Sequence, residues 1–195
     1  IMNRVIFIIR RNCHLVIVPF VAASFRPYKR LVHQLPPERL IAVHVRQRAK
    51  EAAVRAEYTA PLSPVHEDSC MEFFFALGED DRYFNFEINP NACFELGFGP
   101  NRRNRIRLCH KNEQETFQAQ CIRTTDGWTA EYRIPMDFLR LFYPDFRPET
   151  GVRFRANCYK CGDLTEHPHY LAWNPITSET PDFHRPQDFG SMCLA

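Results

Sequence analysis

The chain has 195 residues, 45% of them apolar, and carries a net charge of +2. That length suits one large all-β domain with a sizeable core, and no apolar run reaches the roughly 18 residues a membrane-spanning helix needs. Arginines are scattered among acids, and no helix-turn-helix or zinc-finger spacing occurs, which argues against a nucleic-acid binder.

Seven glycines against 15 prolines predict many strand ends and few long helices. Residues 1–25 read as a separate N-terminal segment, and 26–195 as one domain. Val5–Ile9 and Leu15–Ala23 are apolar, but Arg10, Arg11, Asn12 and His14 interrupt them. Two readings stay open for this segment. One is a strand or two leading into the domain. The other is a signal-peptide core over Leu15–Ala23, flanked by Arg4, Arg10 and Arg11. The compartment is therefore open between secreted or periplasmic and cytoplasmic.

Lys29–Gln34 and Arg39–Arg48 are β-like, with a turn at Pro36-Pro37. Cys70–Leu77 and Arg82–Asn89 form a hairpin around Gly78–Asp81. Cys93–Gly97, Arg105–Cys109, Thr116–Arg123 and Trp128–Ile134 follow, the last two joined at Asp126-Gly127. Met136, Leu139 and Phe142 recur at helical spacing after Pro135, so Pro135–Tyr143 is the one short helix expected. Gly151–Tyr159 is the last long strand.

Side chains alternate faces along a strand. Met71, Phe73 and Phe75 oppose Glu72, Phe74 and Ala76; Phe84, Phe86 and Ile88 oppose Tyr83, Asn85, Glu87 and Asn89. Trp128, Ala130, Tyr132 and Ile134 oppose Thr129, Glu131 and Arg133. Val152, Phe154, Ala156 and Cys158 oppose Arg153, Arg155, Asn157 and Tyr159. The expected fold is thus all-β, a mainly antiparallel β-sandwich whose apolar faces form the core. The opposite face carries Glu, Asn and Arg. Carboxylates and amides accept hydrogen bonds from sugar hydroxyls, Arg donates to them, and aromatic rings pack on the C–H face of a pyranose.

Eight cysteines (Cys13, Cys70, Cys93, Cys109, Cys121, Cys158, Cys161 and Cys193) are read as mostly free thiols, because several lie within apolar strand runs. Cys158, Cys161, His167 and His169 have zinc-like proximity, but two strand residues three apart point to opposite faces, so no metal site is assigned. A glycoside hydrolase would need two carboxylates flanking the scissile bond. Glu72 and Glu87 are the pair to suspect, with Glu131 as a third. No G-x-S-x-G, P-loop or dinucleotide fingerprint occurs.

Glu67-Asp-Ser-Cys-Met-Glu72-Phe-Phe-Phe75, Tyr83-Phe-Asn-Phe-Glu-Ile-Asn89 and Trp128-Thr-Ala-Glu-Tyr-Arg-Ile-Pro135 resemble the family 9 carbohydrate-binding modules. So do Phe154–Asp163, Pro168–Trp173 and Pro181–Gly190, in the right order; the likeness is to the family 9-like bacterial branch. It runs from about Arg26 to the C-terminus. The resemblance implies a DOMON-like, jelly-roll-like sandwich that binds the end of a glucan or xylan chain without cleaving it. Family members grip the sugar between two Trp rings. Here the resemblance puts Glu72 on the sugar-binding carboxylate, Asn157 near the amide ligand, and Phe183 and His66 where the two rings stand. Glu87 replaces a family Arg. With Asn85 and Arg155 of the polar face, the expected ligand-binding set is His66, Glu72, Asn85, Glu87, Arg155, Asn157 and Phe183. Calcium occurs in the family; no ligands for it are assigned.

Overall fold

The computed structural model describes residues 5–11, 14–19, 42–109, 112–149 and 151–194, the first two as backbone only. The expected strand at 29–34 and the Pro36-Pro37 turn lie outside the described residues. Two antiparallel sheets face each other. The first contains β1 (Val5–Arg11), β2 (His14–Pro19), β3 (Ala42–Lys50), β8 (Gln120–Thr124) and β9 (Gly127–Pro135), in the order β2-β1-β3-β9-β8. The second contains β4 (Cys70–Ala76), β5 (Tyr83–Ile88), β6 (Phe94–Gly99), β7 (Ile106–Leu108), β10 (Arg153–Cys161), β11 (Tyr170–Ala172) and β12 (Gly190–Cys193). Its order is β11-β10-β4-β5-β6-β7, with β12 sharing the outer edge of β10.

The alternation read from the sequence is the packing observed. Met71, Phe73, Phe75, Phe84, Phe86, Ile88, Ala156 and Cys158 meet Trp128, Ala130, Tyr132 and Ile134 in one buried core. The Phe86 and Tyr132 rings stack between the sheets with centroids 6.1 Å apart. Phe84 and Phe86 also touch Phe138, and Phe117 packs edge-on to Phe86.

Four details depart from expectation. Among the described residues there are two short α-helices: α2 (Met136–Arg140), capped by extended Pro135, and α1 (Glu113–Thr116). Helix α1 and Gln118, at φ 45°, take up the first half of the expected Thr116–Arg123 strand; Phe117 turns into the core there. Strands β11 and β12 are too short to give a periodic signal. Finally, the polar face of the second sheet is buried. Loops over 51–69 and 162–189 cover it, and Val65, Cys70, Phe74, Tyr83, Tyr159, Cys161, Phe183 and Phe189 form a second apolar cluster there. Glu131, by contrast, sits on the outer face of the first sheet, paired with His44 and Arg46.

Candidate functional site

One row of residues crosses the covered face in register. Tyr159 of β10 is opposite Glu72 of β4, Glu72 opposite Glu87 of β5, and Glu87 opposite Glu95 of β6. Directly opposed side chains on neighbouring strands stand about 4.5–5.5 Å apart at Cβ, and like charges so placed are destabilising. Glu72, Glu87 and Glu95 are nonetheless all buried. They line a cavity of about 320 Å³ together with His66, Arg102, Arg105, Cys161, Asp163, Tyr170, Pro181, Phe183 and His184. That volume lies at the small end of ligand pockets, about 300–1,000 Å³.

Charge in the cavity is unevenly matched. Glu95 faces Arg105 at 2.9 Å, Arg107 at 3.1 Å and His66 at 3.5 Å. Burial opposes its charge, but these three cations outweigh that and hold its carboxyl below the usual range. His66 is raised in return, chiefly by Glu95. Burial, and then the charge of Glu95, push Glu87 up to about 7. Glu72 is raised well above the usual carboxylate range, by burial first and then by Cys161 and Glu87. Around neutral pH the floor of the cavity therefore holds protonated and ionised carboxyls side by side. It can both donate to and accept from hydroxyl groups.

Two loops carry the walls. The amide of Asp163 donates to the carbonyl of His66 and that of Leu164 to Glu67, tying 162–169 to the 3-10 turn Val65–Glu67. The loop bearing Phe183 and His184 is anchored by Asp188, which accepts from Thr177 and Arg185. His184 is neutral: burial, then Arg105 and Arg102, lower it to about 2. Arg105 Nη1 lies 3.0 Å from its Nε2, which must accept, so Nδ1–H donates to the Tyr83 hydroxyl at 2.8 Å. Gly97 makes this possible. Arg105 lies across β6, and a Cβ at Gly97 would meet its Cδ and Nε at 3.0 Å and collide with Asn85 Oδ1.

Of the residues expected from sequence, His66, Glu72, Glu87 and Phe183 line the cavity together. Phe183 gives one ring face to Tyr159, at 4.2 Å and 8°. Asn85 stands behind the row and donates to Glu87 Oε1 at 2.9 Å. Asn157 and Arg155 do not line it; they hold the loop that does. Asn157 donates to the carbonyls of Asn174 and Asp188, and Arg155 to those of Pro186 and Asp80. Sequence reasoning missed Glu95, Arg105, His184 and Tyr170. Glu95 follows Glu87 in register and could have been found from the hairpin pairing. The other three come from loops and short edges, where no period exists to place them.

Three buried polar atoms at or behind the cavity lack a protein hydrogen-bond partner: Asn85 Oδ1, Glu95 Oε2 and Arg105 Nε. Such atoms are rare in folded proteins, and an ordered water, an ion or a ligand group can complete the set. The sequence profile described as carbohydrate-binding family 9 matches residues 38–194. The chain belongs to carbohydrate-binding family 9. The fold agrees. A proposed carbohydrate-binding protein from Bacteroides uniformis ATCC 8492 is 29% identical, with a TM-score of 0.67 over 80% of this chain and 74% of its own. A family 9 module from Caldicellulosiruptor kristjanssonii, solved with glucose, superposes with a TM-score of 0.53 at 13% identity, over 80% of this chain and 71% of its own. The same module with cellotriose gives 0.53 at 13%, covering 79% and 69%. No curated protein matches the chain. It is thus a carbohydrate-binding domain of the all-β sandwich type, and no helix among the described residues is long and apolar enough to cross a membrane.

Calcium does not fit the groups of side-chain ligands seen among the described residues. Calcium takes six to eight oxygen ligands. One group, Cys70, Glu72 and Cys161, is mostly sulfur; the other, His66, Glu87 and Glu95, contains an imidazole and a carboxylate already matched by two arginines. As the strand period predicts, Cys158 and Cys161 point to opposite faces: Cys158 is in the inter-sheet core and Cys161 on the cavity side.

Proposed function

We propose that this cavity binds a short glucan- or xylan-type oligosaccharide, or the end of such a chain, and does not cleave it. The observation that carries the reading is the register-aligned row Glu72–Glu87–Glu95, buried in a cavity whose arginine and amide still have free polar atoms. A sugar edge, with its alternating hydroxyls, supplies the donors and acceptors that such a row lacks. Phe183 and Tyr170 on the wall offer ring surface to the C–H face. Glucose and cellotriose, held by the two family 9 structures of the same fold, set the ligand class to test first.

The arrangement favours binding over hydrolysis. A glycosidase places its two carboxylates on either side of the scissile bond. Glu72 and Glu87 lie side by side on one sheet face, so both meet the same edge of a sugar. The test is a glycan-array and affinity-gel screen of the domain, with hydrolysis products assayed in the same samples. Retention by β-glucan or xylan with no new reducing ends is expected. Release of reducing sugar, lost in both Glu72→Gln and Glu87→Gln, would establish the hydrolase reading instead.

A further inference from the structure

We infer that Cys70, Cys161 and Glu72 form a binding site for a thiophilic divalent ion of the zinc class, with its open coordination position facing the cavity. The site goes beyond sugar recognition, shares Glu72 with the proposed sugar-binding floor, and is tested without sugar. Cys70 and Cys161 are directly opposed across β4 and β10, and both point to the covered face. Cys161 Sγ is 3.0 Å from Glu72 Oε1, and one ligand atom from each of the three residues lies within 4.8 Å of the others. Two sulfurs and a carboxylate oxygen so arranged match three of the four corners of a tetrahedral zinc site. All three side chains are fixed by strand pairing, so little rearrangement stands between this geometry and a bound ion.

Charge supplies the second argument. Glu95 has Arg105, Arg107 and His66 against it, and Glu87 accepts a hydrogen bond from Asn85. Among the described residues no ion pair reaches Glu72, which is 3% exposed. Buried charges are paired, coordinate metals or are neutralised by a proton, and a bound ion would let Glu72 keep its charge. Here the partner on hand is a thiol that donates to Glu72. On binding, the ion replaces the two thiol protons and the carboxyl proton of Glu72, which leave to solvent, and the carboxylate completes the protein's share. Thiolate ligands select zinc-like ions over calcium or magnesium. Cys161 and Glu72 both line the cavity, which supplies the way in and leaves the fourth corner for a water or a sugar hydroxyl.

The test uses the full chain, reduced and stripped of metal, titrated with cobalt(II) in the absence of sugar. The expected result is a near-ultraviolet thiolate-to-cobalt band and intense visible bands of tetrahedral type, saturating at one ion per chain. Both are lost in Cys70→Ser and Cys161→Ser and kept in Cys109→Ser and His169→Ala, since Cys109 is exposed and His169 packs against Lys160. Absence of the band, or its survival in both cavity-cysteine variants, overturns the site. Should those variants fail to fold, X-ray absorption of the zinc-loaded wild type decides: sulfur scatterers at about 2.3 Å are expected, and a shell of nitrogen and oxygen alone refutes it. Because no sugar is present, failure here leaves the sugar reading intact, and the reverse also holds.

Discussion

Glu72 shows how one residue can be read from sequence and still be misjudged in its surroundings. Alternation puts it opposite Phe73 and Phe75, which is correct. It does not reveal that the face is roofed by loops, because those loops have no period and pack through single anchors such as Asn157 and Asp188. The same roof changes the part played by Phe183. Its ring is 7% exposed and stacked on Tyr159, so Phe183→Ala is expected to lower the melting temperature as well as weaken sugar binding, the latter by about 0.5–1.5 kcal/mol. Parallel melts and titrations check this; an unchanged melting temperature would place the ring outside the packed cluster. Tyr132 offers a cleaner residue-scale test. It is fully buried, and its hydroxyl has no protein hydrogen-bond partner. A buried unsatisfied hydroxyl costs about 1–3 kcal/mol. Tyr132→Phe is therefore expected to leave stability unchanged or raise it in denaturant unfolding, and a loss above about 1 kcal/mol would contradict the packing described.

At the scale of elements, strands with a clean two-residue period were legible and short or irregular ones were not. The β4–β5 hairpin, β9 and β10 each alternate large apolar residues with polar ones, and each is where the sequence puts it. The Asp126-Gly127 turn also holds; Gly127 has φ 152°, and an added Cβ there would run into the Ala49 carbonyl. Only the first half of the expected Thr116–Arg123 strand is lost, its β-favouring residues overridden by Phe117 seeking the core, while residues 120–123 stand in β8. Gly97 is an element-scale device of a different kind. In β6 it leaves the space in which Arg105 reaches both Glu95 and His184. Gly97→Ala is expected to displace Arg105 and weaken sugar binding at least as much as Arg105→Ala does. Equal affinity of Gly97→Ala and wild type in titration calorimetry would show that the Arg105 position is not fixed by that glycine.

At the scale of the whole molecule, the loops over the second sheet are held by buried polar groups, so their titration is coupled to folding. His184 is the clearest case. Its folded-state pKa is about 2, against about 6.5 unfolded. As pH falls below about 6.5 the unfolded chain takes up a proton that the folded chain refuses. Stability is thus lost by up to about 1.4 kcal/mol for each pH unit below that point. Melts from pH 7.5 down to pH 5 are expected to fall more steeply for the wild type than for His184→Gln; parallel slopes would contradict a neutral, buried His184. Glu87, raised to about 7, works in the opposite sense, which is why the variant and not the bare pH profile is the measurement.

The Glu72–Glu87–Glu95 row is proposed as a sugar-binding floor, which calorimetric titration of wild type and Glu72→Ala tests. Glucose, cello-oligosaccharides and xylo-oligosaccharides are the ligands, with chelator present so that no metal contributes. Leaving a buried sugar hydroxyl without its partner costs about 1–3 kcal/mol. Measurable binding of at least one of these sugars by the wild type is expected, with a Kd raised roughly 5- to 150-fold in Glu72→Ala and the melting curve still cooperative. Wild-type binding that Glu72→Ala leaves unchanged, or no binding of any of these sugars, would contradict it.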